Sequence, residues 1–269
     1  ALALLAACGA GHQGAFMAPT EVLATQHHRV LTDLLSQMRD PPKVALLTGS
    51  TKTAERAQIL EELDSGDIGI IVGTHALIHD KVVFNSLGIA VVDEQHRFGV
   101  EQRAALLAKG RLPPHMLTMS ATPIPRTLAM TKFGEMALSV IDEKPAGRLP
   151  IITKVCSVEE HDNAYEAMRE EIKGGGQAYV ILRLVNESGS SRMSEVKGAE
   201  EEYARLVSKY PEVRFGLLHG QLGADEKADA LNKFSQGETQ ALVATSVVEV
   251  GVDVPNASVI IIEDADGFG

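Results

Sequence analysis

The residues best equipped for chemistry in this chain are two adjacent carboxylates, Asp93 and Glu94, followed directly by Gln95 and His96. They close the run Gly88-Ile89-Ala90-Val91-Val92. Its apolar stretch is too short for a helix and reads as a strand buried on both faces of a parallel sheet. In open α/β sheets ligands gather at the carboxyl ends of strands, which is where this pair falls. Side chains alternate along an extended strand, so two neighbours point different ways and can hold different tasks. One carboxylate can sit on a Mg²⁺ ion beside a nucleotide phosphate while the other orients a water for attack. Taken alone, the pair is more readily an acidic strand end ahead of a solvated helix start.

The elements that must position the pair alternate as strand, loop and helix. A short strand at 15–18 turns through Pro19-Thr20-Glu21 into a helix reaching about Arg39. Thr20 is its N-cap, and Leu23, His27, Val30, Leu31, Leu34 and Leu35 form its apolar side. Strands follow at 44–47, 68–72 and 115–119, with helices at 53–65 and 99–109. The polar, proline-broken segment 143–149 reads as a linker. Beyond it the alternation restarts: strands at 151–156, 178–182, 213–218, 240–244 and 258–262, helices at 158–173, 198–209 and 224–235. A loop rich in Ser and Gly covers 186–194. The pattern predicts two tandem α/β units with parallel sheets, over 1–142 and 150–269.

The chain has 269 residues, 45% of them apolar and 23% charged, as expected of a soluble globular protein. Its net charge is −11, whereas a protein that binds nucleic acid by bulk electrostatics is basic. Contacts with nucleic acid must therefore come from local sites or from parts of the protein outside this chain. Cys8 and Cys156 are the two cysteines, too few and too far apart for a disulfide framework or a zinc pattern. The apolar opening at 1–7 is too short to span a bilayer and has no basic leader. Both ends of the chain look cut.

Several other motifs invite chemistry and are weaker. Thr48-Gly49-Ser50-Thr51-Lys52-Thr53 looks like a phosphate loop, but Leu46 and Thr51 stand where its glycines belong, and those glycines let backbone N–H groups wrap the anion. It reads instead as a helix-capping loop or a contact to a nucleic-acid backbone. Ser120-Ala121-Thr122 is on its own a helix cap before Pro123. His27 and His28 are adjacent and cannot share one helix face as a metal pair. No nucleophile elbow or zinc-protease pair offers another hydrolase.

Together, five blocks in order resemble the motor of superfamily-two helicases, and within it the RecG-type branched-DNA helicases. They are Met17–Glu21, Gly73–Leu77, Asp93–Val100, Ser120–Thr127 and Ala244–Ala257. The resemblance implies two RecA-like domains, with ATP and Mg²⁺ in the cleft and DNA across the opposite edge. Asp93 would bind the metal, and Glu94 would polarise the attacking water. Gln95 and His96 would couple the nucleotide site to motion, and Ser120 and Thr122 would relay between nucleotide and DNA states. Gly251 and Asp253 would approach ATP from the second domain. Pro19, Thr20, Gly73, Thr74, His219, Gly220 and Thr245 would touch DNA phosphates, which fixes position without reading sequence.

The same resemblance places the family's phosphate loop just before Ala1 and its arginine-bearing motif just after Gly269. The chain by itself is therefore expected not to turn over ATP. The intact protein would be a monomeric double-strand DNA translocase acting at stalled forks and Holliday junctions. Its setting would be the bacterial cytoplasm, or an organelle in a eukaryote, with no membrane partner. Two alternatives stay open: a transcription–repair coupling translocase and a non-catalytic DNA-binding remnant.

Overall fold

Strand β4 (Leu87–Val92) lies inside a parallel sheet, paired with β1 (Gln13–Met17) on one side and β5 (His115–Thr118) on the other. This is the computed structural model of the chain; it describes residues 1–121, 137–143, 150–183, 192–245 and 254–267. The chain divides into two units, Ala1–Arg148 and Leu149–Gly269. The first unit also holds α1 (Leu2–Gly9), α2 (Glu21–Leu35), β2 (Val44–Leu47), α3 (Thr53–Ser65), β3 (Ile70–Gly73) and α4 (Val100–Leu107). Among the described residues its sheet runs β2-β3-β1-β4-β5. The second unit holds α5 (His161–Lys173), β6 (Gln177–Ile181), α6 (Arg192–Lys209), β7 (Phe215–Leu218), α7 (Ala224–Ser235), β8 (Ala241–Ala244) and β9 (Ala257–Ile262). Its sheet runs β7-β8-β6-β9, and every pairing in both sheets is parallel.

Alternation along the strands builds the first unit's core on two faces. Ala15, Met17, Ala90 and Val92 pack with Ile59 and Leu63 of α3 and Leu106 of α4. Phe16, Ile89 and Val91 pack with Leu4 of α1 and Ala24, Leu31 and Leu35 of α2. Each large aliphatic side chain so buried contributes roughly 1.5–3 kcal/mol. The sequence expectation of a central strand buried on both faces is met.

The two sheets repeat each other residue for residue. In the first, Leu47, Met17 and Val92 align with Gly73, Met17 being the shared neighbour. In the second, Leu218, Ile181 and Ile262 align with Ala244 in the same way through Ile181. The register break between Gln13 and Gly14 recurs between Gln177 and Ala178. Both glutamines are buried and clamp backbone: Gln13 donates to Leu63 O and Ile68 O, Gln177 to Phe234 O and Thr239 O.

Some expectations are corrected. Residues Ile151–Cys156 form no strand; no partner ladder meets them among the described residues, and Val155 is 96% exposed. Helix α2 stops at Leu35, short of Arg39, ahead of Asp40-Pro41-Pro42, where residues preceding proline disfavour helix. On α2, Val30 (56% exposed) and Leu34 (51%) face solvent, and the buried residues are Ala24, Leu31 and Leu35. Helix α6 begins at Arg192, so the Ser/Gly-rich segment contributes its first turn. No helix among the described residues is long and apolar enough to cross a membrane.

Candidate functional site

The backbone carrying Asp93 and Glu94 is fixed before their side chains come into play. Asp93 N–H donates to Met17 O at 2.9 Å and Gln95 N–H to Met119 O at 3.0 Å, so pairing continues past the end of β4. Between them Glu94 is left-handed, at φ 46° and ψ 55°, which costs a residue bearing a Cβ roughly 1–2 kcal/mol. A 3₁₀ turn over Gln95–Arg97 follows, and Phe98 is buried in the core. Arg103 of α4 donates to Phe98 O at 2.7 Å and Gln95 O at 3.3 Å, tying the turn down.

Both oxygens of Asp93 are held. Oδ1 accepts from Glu94 N–H at 2.9 Å, and Oδ2 accepts from His27 Nε2 at 2.8 Å. A carboxylate cannot donate, so His27 carries its proton on Nε2. The His27 hydrogen bond holds the Asp93 carboxyl below the usual carboxylate range, against partial burial that pushes it up. Asp93 is thus an anion with one lone pair on each oxygen still open. Glu94 is different: its Oε2 is buried without a hydrogen-bond partner, and His96 Nδ1 comes no nearer than 3.5 Å. An orphaned buried acceptor costs about 1–3 kcal/mol. A water or ligand donating to it would recover that energy.

This donor set fits Mg²⁺, which binds one or two carboxylates and takes its remaining ligands from water and phosphate. Among the described residues no three His, Cys, Asp or Glu side chains cluster as a metal cage. Asp93 is the residue that could hold the ion, with Glu94 free to orient a water.

The remaining described candidates lie at the carboxyl ends of the strands. Pro19 and Thr20 follow β1, Gly73 and Thr74 end β3, and Ser120 follows β5. Because β3, β1, β4 and β5 lie side by side and parallel in one sheet, these residues share the carboxyl edge of Asp93 and are displaced along it. The Thr20 hydroxyl caps α2, accepting from Leu23 N–H at 3.3 Å, as the sequence predicts. Thr74 is 1% exposed and its hydroxyl accepts from Ala76 N–H. In the second unit His219 and Gly220 follow β7 and Thr245 follows β8. Thr245 is 2% exposed, and its N–H bonds Leu218 O at 3.1 Å. His219 is buried with Nδ1 unpartnered. Thr122, Gly251 and Asp253 lie outside the described residues.

Register relates these candidates. Thr74 and Thr245 occupy equivalent places, and so do Asp93-Glu94 and Glu263-Asp264. Asp264 even repeats the left-handed turn of Glu94, at φ 49° against 46°. Glu263, however, is met by different donors. Its Oε1 accepts from Tyr165 OH at 2.6 Å and His161 Nε2 at 3.0 Å, both from α5, the helix before β6. The first unit has no such donors from α1; its carboxylate is met from α2, by His27.

Sequence reasoning passed over two contributors and read a third only as a capping loop or a nucleic-acid contact. His27 was placed on an apolar helix side, because nothing along the chain links it to a carboxylate 66 positions away. Arg103 gave no signal. The loop Thr48-Gly49-Ser50, set aside as an imitation phosphate loop, stands where His219-Gly220 stands in the second unit. The signal for it was the repeated hydroxyl-or-His-then-Gly after an apolar strand. Glu21 holds that loop, accepting from Ser50 N–H at 3.1 Å and Ser50 Oγ at 2.7 Å.

The chain is similar to known helicases over nearly its whole length. The DEAD/DEAH box helicase family matches residues 1–131, and the helicase conserved C-terminal domain matches 163–268. The ATP-dependent DNA helicase RecG of Synechocystis sp. is 50% identical over 99% of this chain and 32% of its own length. That of Staphylococcus aureus is 48% identical over the whole chain and 38% of its own length. The chain thus spans about a third of the length of these curated relatives. A solved structure of RecG bound to a three-way DNA junction superposes with a TM-score of 0.74 at 39% identity, covering 96% of this chain and 33% of that one.

Proposed function

The chain belongs with the DEAD/DEAH-type helicases and is RecG-type in sequence throughout, and on that footing we propose that its protein is an ATP-driven translocase on double-stranded and branched DNA. The observation that carries this is the Asp93–Glu94 turn, an anion held at both oxygens beside a carboxylate with a buried, unsatisfied one. Asp93 would hold Mg²⁺, and Glu94 would polarise the water that attacks the terminal phosphate. Bound Mg²⁺ would neutralise the charge that develops on the transferring phosphoryl group. Gln95 and His96, next along the turn, would transmit the nucleotide state, and Ser120 and Thr122 would relay it toward DNA.

Pro19, Thr20, Gly73, Thr74, His219, Gly220 and Thr245 would meet DNA phosphates. The equivalence of Thr74 and Thr245 in the two sheets supports one kind of contact repeated twice. With a net charge of −11, such contacts work through local N–H and hydroxyl donors, not bulk attraction. The substrates that suit this reading are stalled forks and Holliday junctions; the relative bound to a three-way DNA junction supports branched DNA as their class.

The test is ATP hydrolysis by the full-length protein with three-way junctions, linear duplex and no DNA. Branched DNA should stimulate hydrolysis most. Glu94→Gln should cut turnover by about 10²–10⁴ while nucleotide still binds. Turnover indifferent to DNA, or unchanged by Glu94→Gln, would sink the reading.

A further inference from the structure

Asp93 and Glu263 stand at equivalent positions and differ in what meets them. Glu263 presents Oε1 to two donors from α5, Tyr165 and His161. Those donors come from the helix before β6, the strand paired with its own. Asp93 is met on Oδ2 by a single side chain, from α2, the helix after β1. That side chain, His27, is itself located. It lies on the second turn of α2, where Thr20 caps the helix and Ala24 and Leu31 bury one face. Its ring lies 4.5 Å from that of Phe16, tilted by 44°. Phe16 in turn is buried between α1 and α2. The position of His27 is thus set by packing and its proton by the acceptor it faces. The aspartate is gripped at Oδ2 by α2 and at Oδ1 by its own turn.

A carboxylate on a strand end rotates about two side-chain bonds, and only hydrogen bonds to both oxygens fix its plane. The Glu94 N–H alone would leave Asp93 free to swing. We propose that His27 is a positioning residue for Asp93. Its Nε2–H holds one carboxylate oxygen so that the remaining lone pairs are presented to a divalent cation bound with the nucleotide. This rests on the reading of Asp93 as the cation-holding residue. Partners that orient a ligating side chain in this way typically carry about 10–100-fold in metal affinity when removed.

The experiment uses the full-length protein with His27→Ala and His27→Gln, the glutamine amide keeping a donor. Two quantities are read. One is the Mg²⁺ concentration for half-maximal ATP hydrolysis; the other is Mn²⁺ binding in the presence of ADP, followed by the loss of the free-ion paramagnetic signal without turnover. His27→Ala should weaken both by about 10-fold or more, leave the rate at saturating Mg²⁺ less affected, and leave metal-free ADP binding unchanged. His27→Gln should recover most of the loss in both. A His27→Ala protein with unchanged cation dependence overturns the proposal, whether or not its melting temperature falls. So does a loss of cation affinity that His27→Gln fails to restore in a folded protein. If wild-type hydrolysis needs neither divalent cation nor Glu94, the functional reading fails instead, and the two failures are told apart by that control.

Discussion

The buried glutamines at the starts of β1 and β6 give a prediction whose size can be worked from the hydrogen bonds. Gln13 bridges three backbone groups: its Nε2 donates to Leu63 O and Ile68 O, both at 2.8 Å, and its Oε1 accepts from Ser86 N–H at 3.0 Å. In Gln13→Leu, Leu63 O keeps Asn85 N–H as a partner at 3.3 Å. Ile68 O and Ser86 N–H are left with none among the described residues. A cavity lined by Gln13, Ser65, Asn85 and Ser86 adjoins the amide, so water can reach the half-buried Ser86 N–H, whereas Ile68 O stays buried. One orphaned buried acceptor at about 1–3 kcal/mol and one lost half-buried hydrogen bond at about 0.5–1.5 kcal/mol predict a loss of roughly 1.5–4.5 kcal/mol. Gln177→Leu orphans one group, Thr239 O, because Phe234 O keeps Gly237 N–H. It also removes an amide oxygen, Gln177 Oε1, that is buried without a partner. The second change should therefore cost roughly 1–2 kcal/mol.

The two units need not melt together, so a single unfolding free energy is the wrong measure. Hydrogen exchange on peptides spanning β1 and β6 reports opening of each sheet separately. Gln13→Leu should lower protection in the first unit by more than Gln177→Leu costs the second. Equal losses, a reversed order, or a Gln13→Leu loss below about 0.5 kcal/mol would refute the bookkeeping. A larger consequence follows at the site. Gln13 stands at the register break between β1 and β4, and that register sets Met17 beside Val92 and hence Asp93 N–H on Met17 O.

Two further outcomes are expected. A Cβ added at Gly73 would lie 2.2 Å from Leu47 O and 2.9 Å from Leu77, so Gly73→Ala must part β2 from β3. It should cost about 1–3 kcal/mol or more, read as a lowered melting temperature, whereas Ala244→Gly at the equivalent place should cost only about 0.5–1 kcal/mol. Burial first, then the hydrogen bond to Glu263, pushes the Tyr165 hydroxyl far above its ordinary range. Its neutral form is favoured by folding, so the stability it contributes is complete below a pH of about 10 and declines above it. Alkaline titration should show Tyr165 ionising only as the second unit unfolds, and Tyr165→Phe should flatten the decline; early ionisation of all four tyrosines would refute this.

The fold was legible where burial dictates pattern. Runs such as Ile70-Ile71-Val72 and Ala241-Leu242-Val243-Ala244 are buried throughout, and no other element tolerates so short an apolar run bounded by turns. Helices α3 and α7 lie about where the pattern placed them, α3 ending at the left-handed Gly66 and α7 starting after Gly223, whose N–H donates to Glu226. The pattern failed at Ile151–Cys156, whose apolar residues look like a strand but meet no ladder. A strand is a property of two segments, and one segment cannot announce its partner. On α2 it failed for a related reason. Val30 and Leu34 have the spacing of a buried face, yet the helix turns Ala24 and Leu31 inward and His27 toward Asp93. Of the candidate site, the carboxylates and the capping role of Thr20 were readable, since chain order alone brings those groups together. The His27 and Arg103 contacts were not.

The repetition of the two sheets separates what the fold requires from what chemistry requires. A left-handed carboxylate turn ends both β4 and β9, so the strained backbone at Glu94 is not by itself a mark of catalysis; the architecture makes it twice. Strand register, the glutamine clamp and the buried threonine after the third strand of each set are likewise shared. What differs is satisfaction. Glu263 sits under a tyrosine and a histidine that occupy one of its oxygens, and Tyr165 stacks on Tyr210 at 5.8 Å to close that side. Asp93 keeps open lone pairs and neighbours a carboxylate with an unspent buried oxygen. The counterpart of Glu94 in the second turn is Asp264, which is exposed to water, so of the two turns only the first holds a buried acceptor without a partner. The difference between the two turns therefore points to the first as the place where a ligand supplies a hydrogen bond that the fold itself leaves unmade.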